Sequence, residues 1–163
     1  HIFKSILDGN DKKVIITSGI EHSAIIENCK HYKSIGFKVE VIKTQRNGVI
    51  DMEHFKKLVT ENKSNIALVT VMAANNETGV IQPIREVVSM AGDIPVHTDA
   101  VQSFKKVPLS YKELAVTAMT LSAHKVGGPL GIGALILRRA YEIPALLHGG
   151  GQERGRVRRG GWG

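Results

Sequence analysis

The chain contains a single cysteine, Cys29, among its 163 residues, and this scarcity excludes an internal disulfide framework. A lone thiol favours a reducing compartment, which we expect to be the cytoplasm. No stretch approaches the roughly 20 apolar residues that a membrane-spanning helix needs, so we expect no membrane partner. The first residues, HIFKSILDGNDKK, also lack the apolar run and the cleavage site of a signal peptide, and they resemble a chain entered partway through.

Aromatic residues are also few, at 5%, and the net charge of +7 has no basic stripe to accompany it. The segment ERGRVRR near the C-terminus contains four Arg and one Glu, which is +3, and the other +4 is spread along the chain. Nucleic-acid interfaces usually concentrate their positive charge on one face. We therefore expect no nucleic-acid partner, and a phosphate-bearing small molecule explains a modest positive charge equally well.

Short apolar runs alternate with amphipathic segments along the chain. The apolar runs predict strands at 13–19, 37–43, 65–73, 94–100, 117–125 and 131–139. The segments between them predict helices at 22–36, 51–59, 83–91 and 110–116, with Asp51 as a helix cap. Strands that alternate with helices indicate an α/β fold with a mostly parallel sheet and helices on both faces.

Polar residues follow four of the predicted strands. These segments are SGIEH (18–22), ANNETG (74–79), HTDAVQ (97–102) and SAHK (122–125). In a parallel sheet the carboxyl ends of the strands form the ligand crevice. We therefore expect the four segments to converge on one edge of the sheet and to form a site there.

Taken alone, each polar residue of these segments has an ordinary explanation as well as a functional one. Asp99 is costly to bury without a cationic partner, but it is also a common cap or turn residue. His97 and Asp99 share a face of their strand and could bind a metal, although no spaced cysteines or H-E-x-x-H pattern support a metal site. Lys125 is either a solvated charge, a phosphate clamp or a nucleophilic amine. The glycines that follow it allow the backbone a close approach.

Five motifs stand in order along the chain: EHSAI, MAANNETGVIQPI, HTDAVQS, LSAHKVGGPLGIGAL and HGGGQERG. Together they resemble the cysteine desulfurases and the closely related selenocysteine lyases, which are class V pyridoxal-phosphate enzymes. The resemblance extends from about residue 14 to residue 155. It implies the large domain of an aspartate-aminotransferase-like fold (pyridoxal-phosphate fold type I), present here in part.

The resemblance also implies a set of residue roles around pyridoxal 5'-phosphate. Lys125 resembles the Schiff-base lysine, and Asp99 resembles the carboxylate that pairs with the pyridinium nitrogen. Gln102 resembles the donor to the phenolic oxygen of the cofactor, with Asn76 on the same side. Asn76 could instead simply hold its own loop.

Three further residues receive roles from the same resemblance. His22 matches the histidine stacked on the pyridine ring, which is also a candidate for proton transfer. Ser122 and His124 match ligands of the phosphate group. The alternative explanations are that His22 caps the next helix and that Ser122 caps the end of its strand.

The chain departs from the family pattern at both ends. We expect residues 1–152 to be the central part of the cofactor-binding domain and 153–163 to be an atypical Arg/Gly-rich end, with the C-terminal small domain absent. The family's sulfur-accepting cysteine belongs to that missing region. Cys29 does not replace it, because it lies on the apolar stripe of a predicted helix, where a buried and inert thiol is expected.

For the parent protein, the resemblance implies a cysteine desulfurase that converts L-cysteine to L-alanine and passes the sulfur on as a persulfide. The implied partners are a second copy in a homodimer and a sulfur-acceptor or iron–sulfur scaffold protein. A selenocysteine lyase or another class V lyase shares the same motifs and is the enzymatic alternative. The alternative of another class is an inert fragment that acts only through protein contacts.

Overall fold

A six-stranded sheet forms the centre of the described part of the chain in the computed structural model, which describes residues 2–139 and Tyr141. Its strands are β1 (Val14–Ser18), β2 (Lys38–Ile42), β3 (Ile66–Thr70), β4 (Val96–Asp99), β5 (Ala118–Ser122) and β6 (Gly133–Leu137). Their spatial order is β2-β1-β3-β4-β5-β6. Neighbours run parallel, except that β5 and β6 are antiparallel. The mostly parallel sheet that the sequence pattern predicts is confirmed.

Helices cover both faces of this sheet, as predicted. They are α1 (Ile2–Leu7), α2 (Ser23–Ser34), α3 (Met52–Asn62), α4 (Ile84–Ala91) and α5 (Tyr111–Leu114). On one face α1 and α2 pack with Ile15 and Leu68, and on the other α3 and α4 pack with Ile16 and Val69. No helix within residues 2–139 is long and apolar enough to cross a membrane.

Two helix ends lie where the sequence predicts a cap or a stop. Asp51 accepts a hydrogen bond from the backbone N–H of His54 at 3.0 Å and so begins α3, as expected of an N-cap aspartate. Gly36, predicted as the stop of α2, has a φ of +100° two residues after the helix ends. Short-range chemistry therefore specifies where these two helices begin and end.

Two parts of the fold differ from the prediction. No helix is predicted before β1, yet α1 buries Ile2, Phe3, Ile6 and Leu7 against the sheet. The predicted strand 117–125 ends earlier, at Ser122, and a 3-10 turn (Ala123–Val126) carries the chain past Lys125. The HGGGQERG motif and the predicted end segment 153–163 lie outside the described residues.

Gly128 explains how this turn closes. Its N–H donates to the carbonyl of Ala123 at 2.9 Å, and a Cβ at this position would lie 2.8 Å from the Cβ of Ala123. Any larger residue would push the turn open. The glycine is therefore needed for the chain to approach itself closely just after Lys125.

Candidate active site

The carboxyl ends of β1, β3, β4 and β5 meet along one edge of the sheet, because these four strands are parallel neighbours. The four polar segments predicted from the sequence follow these ends and so lie along the same edge. A backbone hydrogen bond from Ala73 to the carbonyl of Asp99 (2.8 Å) and another from Ala100 to the carbonyl of Thr120 (3.0 Å) extend the pairing into the loops. The edge is therefore a fixed framework for side chains from separate segments.

Asp99 is the last residue of β4 and is half-buried. Its Oδ1 accepts a hydrogen bond from the N–H of Val101 at 3.0 Å. Burial raises the pKa of this carboxyl, while the bond from Val101 and the charge of His22 lower it. Asp99 also pairs in register with Thr120, so its side chain shares a face of the sheet with Thr120 and Ser122.

His22 stands at the start of α2, on the exposed side of this edge. Its Nδ1 accepts a hydrogen bond from the N–H of Ala24 at 3.2 Å, so the imidazole is the N-cap of the helix. The capping explanation considered from the sequence is therefore confirmed. It does not conflict with a role in the site, because capping uses only Nδ1 of the imidazole.

Ser122, His124 and Lys125 follow one another around the turn after β5. The hydroxyl of Ser122 and Nδ1 of His124 are 2.7 Å apart and hydrogen-bonded. The hydroxyl makes no capping bond to the 3-10 turn that Ser122 begins. Lys125 is exposed one residue further on. The turn therefore presents a hydroxyl, an imidazole and a primary amine within four consecutive residues.

The two remaining predicted site residues lie at the margin of this group. Gln102 follows β4 and its Oε1 accepts a hydrogen bond from Nζ of Lys106 at 2.6 Å. Asn76 is exposed in the loop after β3. The loop-holding role that we considered for Asn76 belongs to Asn75 instead.

Asn75 organises its loop through both ends of its amide. Its Oδ1 accepts hydrogen bonds from the N–H groups of Glu77 (3.0 Å) and Thr78 (2.9 Å). Its Nδ2 donates to the carbonyl of Ile20 at 2.9 Å, which joins this loop to the one before His22. The NNETG turn indicated that an asparagine could hold this loop. The sequence did not show which of the two adjacent asparagines, Asn75 or Asn76, has that role.

Glu21 is a second residue that sequence reasoning did not single out. The residue is only 6% exposed, and its Oε1 accepts hydrogen bonds from the hydroxyl of Ser18 and the N–H of Met72. Burial, together with the charge of Asp99, raises the pKa of Glu21 to about 7 despite these two bonds. A signal was available, since Glu21 directly precedes His22, but its partner Met72 is 51 residues away in the sequence.

His97 lies two residues before Asp99 and is fully buried. Its Nδ1 bonds to the hydroxyl of Thr70 at 2.9 Å and its Nε2 to the hydroxyl of Thr120 at 2.8 Å. Burial lowers the pKa of His97 to about 3, so the ring stays neutral. Both nitrogens are occupied, and no group of three metal-ligating side chains occurs in the described part of the chain. The metal-site alternative for His97 and Asp99 therefore gains no support.

Cys29 lies beside Thr17 near the end of β1, and a cavity lies on a different part of the sheet. Cys29 is 6% exposed within the apolar cluster under α2, and burial raises the pKa of its thiol to about 11, which confirms the predicted buried thiol. A cavity of about 590 Å³ opens between segments at the amino ends of the strands and is lined by Lys12, Lys56 and Lys63 among others. It touches none of the candidate site residues, so we place the chemistry at the carboxyl edge.

Comparison with known proteins identifies relatives across most of the chain. Residues 3–160 match the model of the aminotransferase class-V family. The chain is 41% identical over 148 residues to the cysteine desulfurase NifS of Azotobacter vinelandii, covering 90% of this chain and 36% of that protein. It is 39% identical over 148 residues to the mitochondrial cysteine desulfurase of Arabidopsis thaliana, covering 88% of this chain and 32% of that protein. The chain thus spans about a third of the length of these relatives.

Solved structures give the same result for the fold. A NifS-like protein superposes with a TM-score of 0.88 at 41% identity, covering 95% of this chain and 43% of that one. The structure described as SspA in complex with cysteine superposes with a TM-score of 0.82 at 39% identity, covering 90% and 43%. The mostly parallel sheet and its flanking helices are therefore those of the NifS-like fold.

Proposed function

Because the chain belongs to the aminotransferase class-V family, we propose that it is the central, cofactor-binding part of a pyridoxal-phosphate-dependent cysteine desulfurase. The parent enzyme would convert L-cysteine to L-alanine and transfer the sulfur to a cysteine thiol as a persulfide. The observation that carries the proposal is the convergence of His22, Asp99, Ser122, His124 and Lys125 at one sheet edge. Separate elements supply these side chains, which is the usual construction of a ligand site in an α/β sheet.

The residues of this edge fit pyridoxal phosphate in their chemistry. The hydroxyl of Ser122 and the imidazole of His124 suit the oxygens of a phosphate, and the exposed amine of Lys125 suits an aldehyde. The half-buried carboxyl of Asp99 suits a protonated ring nitrogen, since a cationic partner would offset the cost of burying its charge. When bound, this cofactor acts as an electron sink for the charge left after a proton is removed from an amino acid.

The other proposed roles belong to side chains around this core of the site. His22 would lie against the cofactor ring, with its Nε2 available for proton transfer. Gln102 would donate to a phenolic oxygen through its Nε2, while its Oε1 accepts from Nζ of Lys106. Asn76 would contribute from the adjacent loop. Lys125 would hold the cofactor covalently and move protons once the substrate amine displaces it.

The partners of the parent protein are proposed on the resemblance alone. They are a second copy in a homodimer and a sulfur-acceptor or iron–sulfur scaffold protein. A reducing compartment, the cytoplasm, is proposed from the single cysteine.

Covalent capture of the cofactor tests the proposal on this chain directly. Purified protein is mixed with pyridoxal phosphate, reduced with borohydride and digested, and the modified peptide is identified by mass spectrometry. We expect one modified lysine, Lys125, at low cofactor concentration. Lys105→Ala is the matched control, because Lys105 lies in the turn after β4 and has no proposed role.

The competing outcomes are distinct. Uniform labelling of many lysines, unchanged in Lys125→Ala, would contradict a built site and favour the inert-fragment alternative. Labelling of Lys125 that disappears in Asp99→Asn but persists in Lys105→Ala would support the full proposed constellation. Sulfide release from L-cysteine by this chain alone would contradict the expectation that the sulfur-accepting cysteine lies outside it.

A further inference from the structure

Glu21 occupies the junction between two loops of the candidate site. The ladder between β1 and β3 ends at the pair Thr17 and Thr70. Beyond that pair, the Glu21 carboxyl accepts from the hydroxyl of Ser18 on one side and from the N–H of Met72, at 2.8 Å, on the other. One oxygen of a buried side chain thus continues the connection between the strands after their backbone pairing has stopped.

A second hydrogen bond joins the same two loops, this time from a side chain of the later loop to the backbone of the earlier one. Asn75, from the loop after β3, donates to the carbonyl of Ile20 in the loop after β1 at 2.9 Å. Each loop therefore sends one side chain to the backbone of the other. Each of these two contacts includes a residue adjacent to a proposed cofactor ligand, since His22 follows Glu21 and Asn76 follows Asn75.

The two oxygens of the Glu21 carboxyl differ in their hydrogen bonds. Oε1 accepts both hydrogen bonds, while Oε2 is buried and has no hydrogen-bond partner among the described residues. The surroundings therefore use Oε1 as an acceptor, and within residues 2–139 no ion pair joins Glu21 to a cation. Asp99 stands near enough for its charge to act on Glu21, which makes a second anion here unfavourable.

We propose that Glu21 is a positioning residue of this site, whose buried acceptor oxygen fixes the spacing between the loop that carries His22 and the loop that carries Asn75 and Asn76. This inference rests on the proposed function only in naming pyridoxal phosphate as the ligand that the spacing serves. It predicts that an amide replaces the carboxyl well and that a methyl group does not.

The test compares three variants of the full chain. Glu21→Gln keeps an acceptor oxygen, whereas Glu21→Ala removes it. Gln82→Ala is the matched control, because Gln82 is also buried and also ties two segments, accepting from the N–H of Ile50 at 3.0 Å and donating to the carbonyl of Gly48 at 2.9 Å. Gln82 serves a loop outside the site, so the control separates a local effect from a general loss of stability.

Amide hydrogen exchange measures the hydrogen bond between Glu21 and the Met72 N–H without any cofactor. We expect the Met72 amide to exchange faster in Glu21→Ala, to stay protected in Glu21→Gln, and to be unaffected by Gln82→Ala, which should expose the Ile50 amide instead. Ser18→Ala offers a milder variant should Glu21→Ala fold poorly, since it removes one of the two donors. Unchanged protection of Met72 in both Glu21→Ala and Ser18→Ala would overturn the inference.

The affinity for the cofactor measures whether the spacing between the two loops matters for binding. We expect the Kd for pyridoxal phosphate, titrated by protein fluorescence, to rise about tenfold in Glu21→Ala and to change by less than about threefold in Glu21→Gln and Gln82→Ala. Equal weakening in Glu21→Gln, or equal weakening in the Gln82→Ala control, would contradict a positioning role. Failure of the unmodified chain to bind the cofactor would instead count against the proposed function, and the Met72 exchange would still decide the role of Glu21.

Discussion

At the scale of single residues, His97 shows how a polar side chain is accommodated at the centre of this sheet. The ring spans three neighbouring strands, bonding Thr70 on β3 and Thr120 on β5 from its own place on β4. A neutral imidazole has one donor and one acceptor nitrogen, and two hydroxyls can complement both. His97 therefore fixes the strand ends next to Asp99 without placing a charge in the core.

We predict that His97→Ala lowers the free energy of unfolding by about 3 kcal/mol, because it leaves a cavity and removes the partner of one buried hydroxyl (Thr70) and one half-buried hydroxyl (Thr120). The measurement is urea denaturation followed by circular dichroism at pH 7. His31→Ala is the control, since His31 is exposed on α2 and should change the value by less than about 0.5 kcal/mol. An equally small effect for both histidines would show that the His97 network does not stabilise the sheet.

Glu21 gives a pH-dependent prediction whose sign follows from its raised pKa. The pKa of Glu21 is about 7 in the folded chain against an ordinary value of 4.5, so the folded state holds the proton more tightly than the unfolded state. The stabilisation is present below pH 4.5 and is lost as the pH rises through 7. Glu21→Gln does not titrate, so the unmodified chain should lose up to about 3 kcal/mol relative to this variant between pH 4.5 and pH 7.5.

Denaturation of both proteins at half-unit pH steps measures this difference. Groups that are common to both proteins and do not interact with Glu21, such as His97, largely cancel in the subtraction. A difference that stays flat across the range would show that Glu21 has an ordinary pKa and is not desolvated in the folded chain.

The sequence was sufficient to predict the position of some candidate site residues and not of others. Asp99 ends an apolar strand and Lys125 lies three residues after another, both within local motifs, so their position at the edge of the sheet could be predicted. Glu21 and Asn75 act on backbone groups 51 and 55 residues away, and no local pattern reports such a contact. Their roles become visible only when the register of β1 and β3 is known.

At the scale of secondary structure, α1 is the element that sequence reasoning missed. It has six residues, which is less than two turns, so a helical period cannot be recognised in it. Its stability comes from burial and not from its own propensity, because isolated helices of this length are unstable in water. The strands were recognised more easily, since β1 and β3 are unbroken runs buried at every position.

We predict that α1 is an integral part of the domain and not an appendage. Leu7→Ala removes a side chain that is 1% exposed in the cluster with Ile15 and Leu68, and it should cost about 3 kcal/mol of unfolding free energy. Lys4→Ala lies on the exposed side of the same helix and should cost less than about 0.5 kcal/mol. Thermal and urea unfolding of the pair provide the comparison. Equal stabilities would place α1 outside the cooperative unit.

At the scale of the whole molecule, the candidate site joins segments that are distant in the chain. His22 begins α2, Asp99 ends β4, and Lys125 follows β5, so the residues proposed to hold one ligand span about a hundred positions. A ligand that contacts all three binds only when the sheet is assembled. Binding should therefore stabilise the cooperative fold as a whole, through linkage, and not only the loops that touch the ligand.

We predict that pyridoxal phosphate at about 100 times its Kd adds about 2.7 kcal/mol to the stability of the chain and raises its Tm by roughly 5–10 °C. Differential scanning fluorimetry measures the shift. Pyridoxine, which lacks both the aldehyde and the phosphate, is the ligand control and should give no shift at the same concentration. Lys125→Ala should retain a smaller shift, because the contacts of Ser122, His124 and Asp99 survive the loss of the covalent bond. A full Tm shift in Lys125→Ala would show that the cofactor is held without this lysine. A Tm shift that is abolished in Lys125→Ala but unchanged in Asp99→Asn would show that Asp99 is not part of the site.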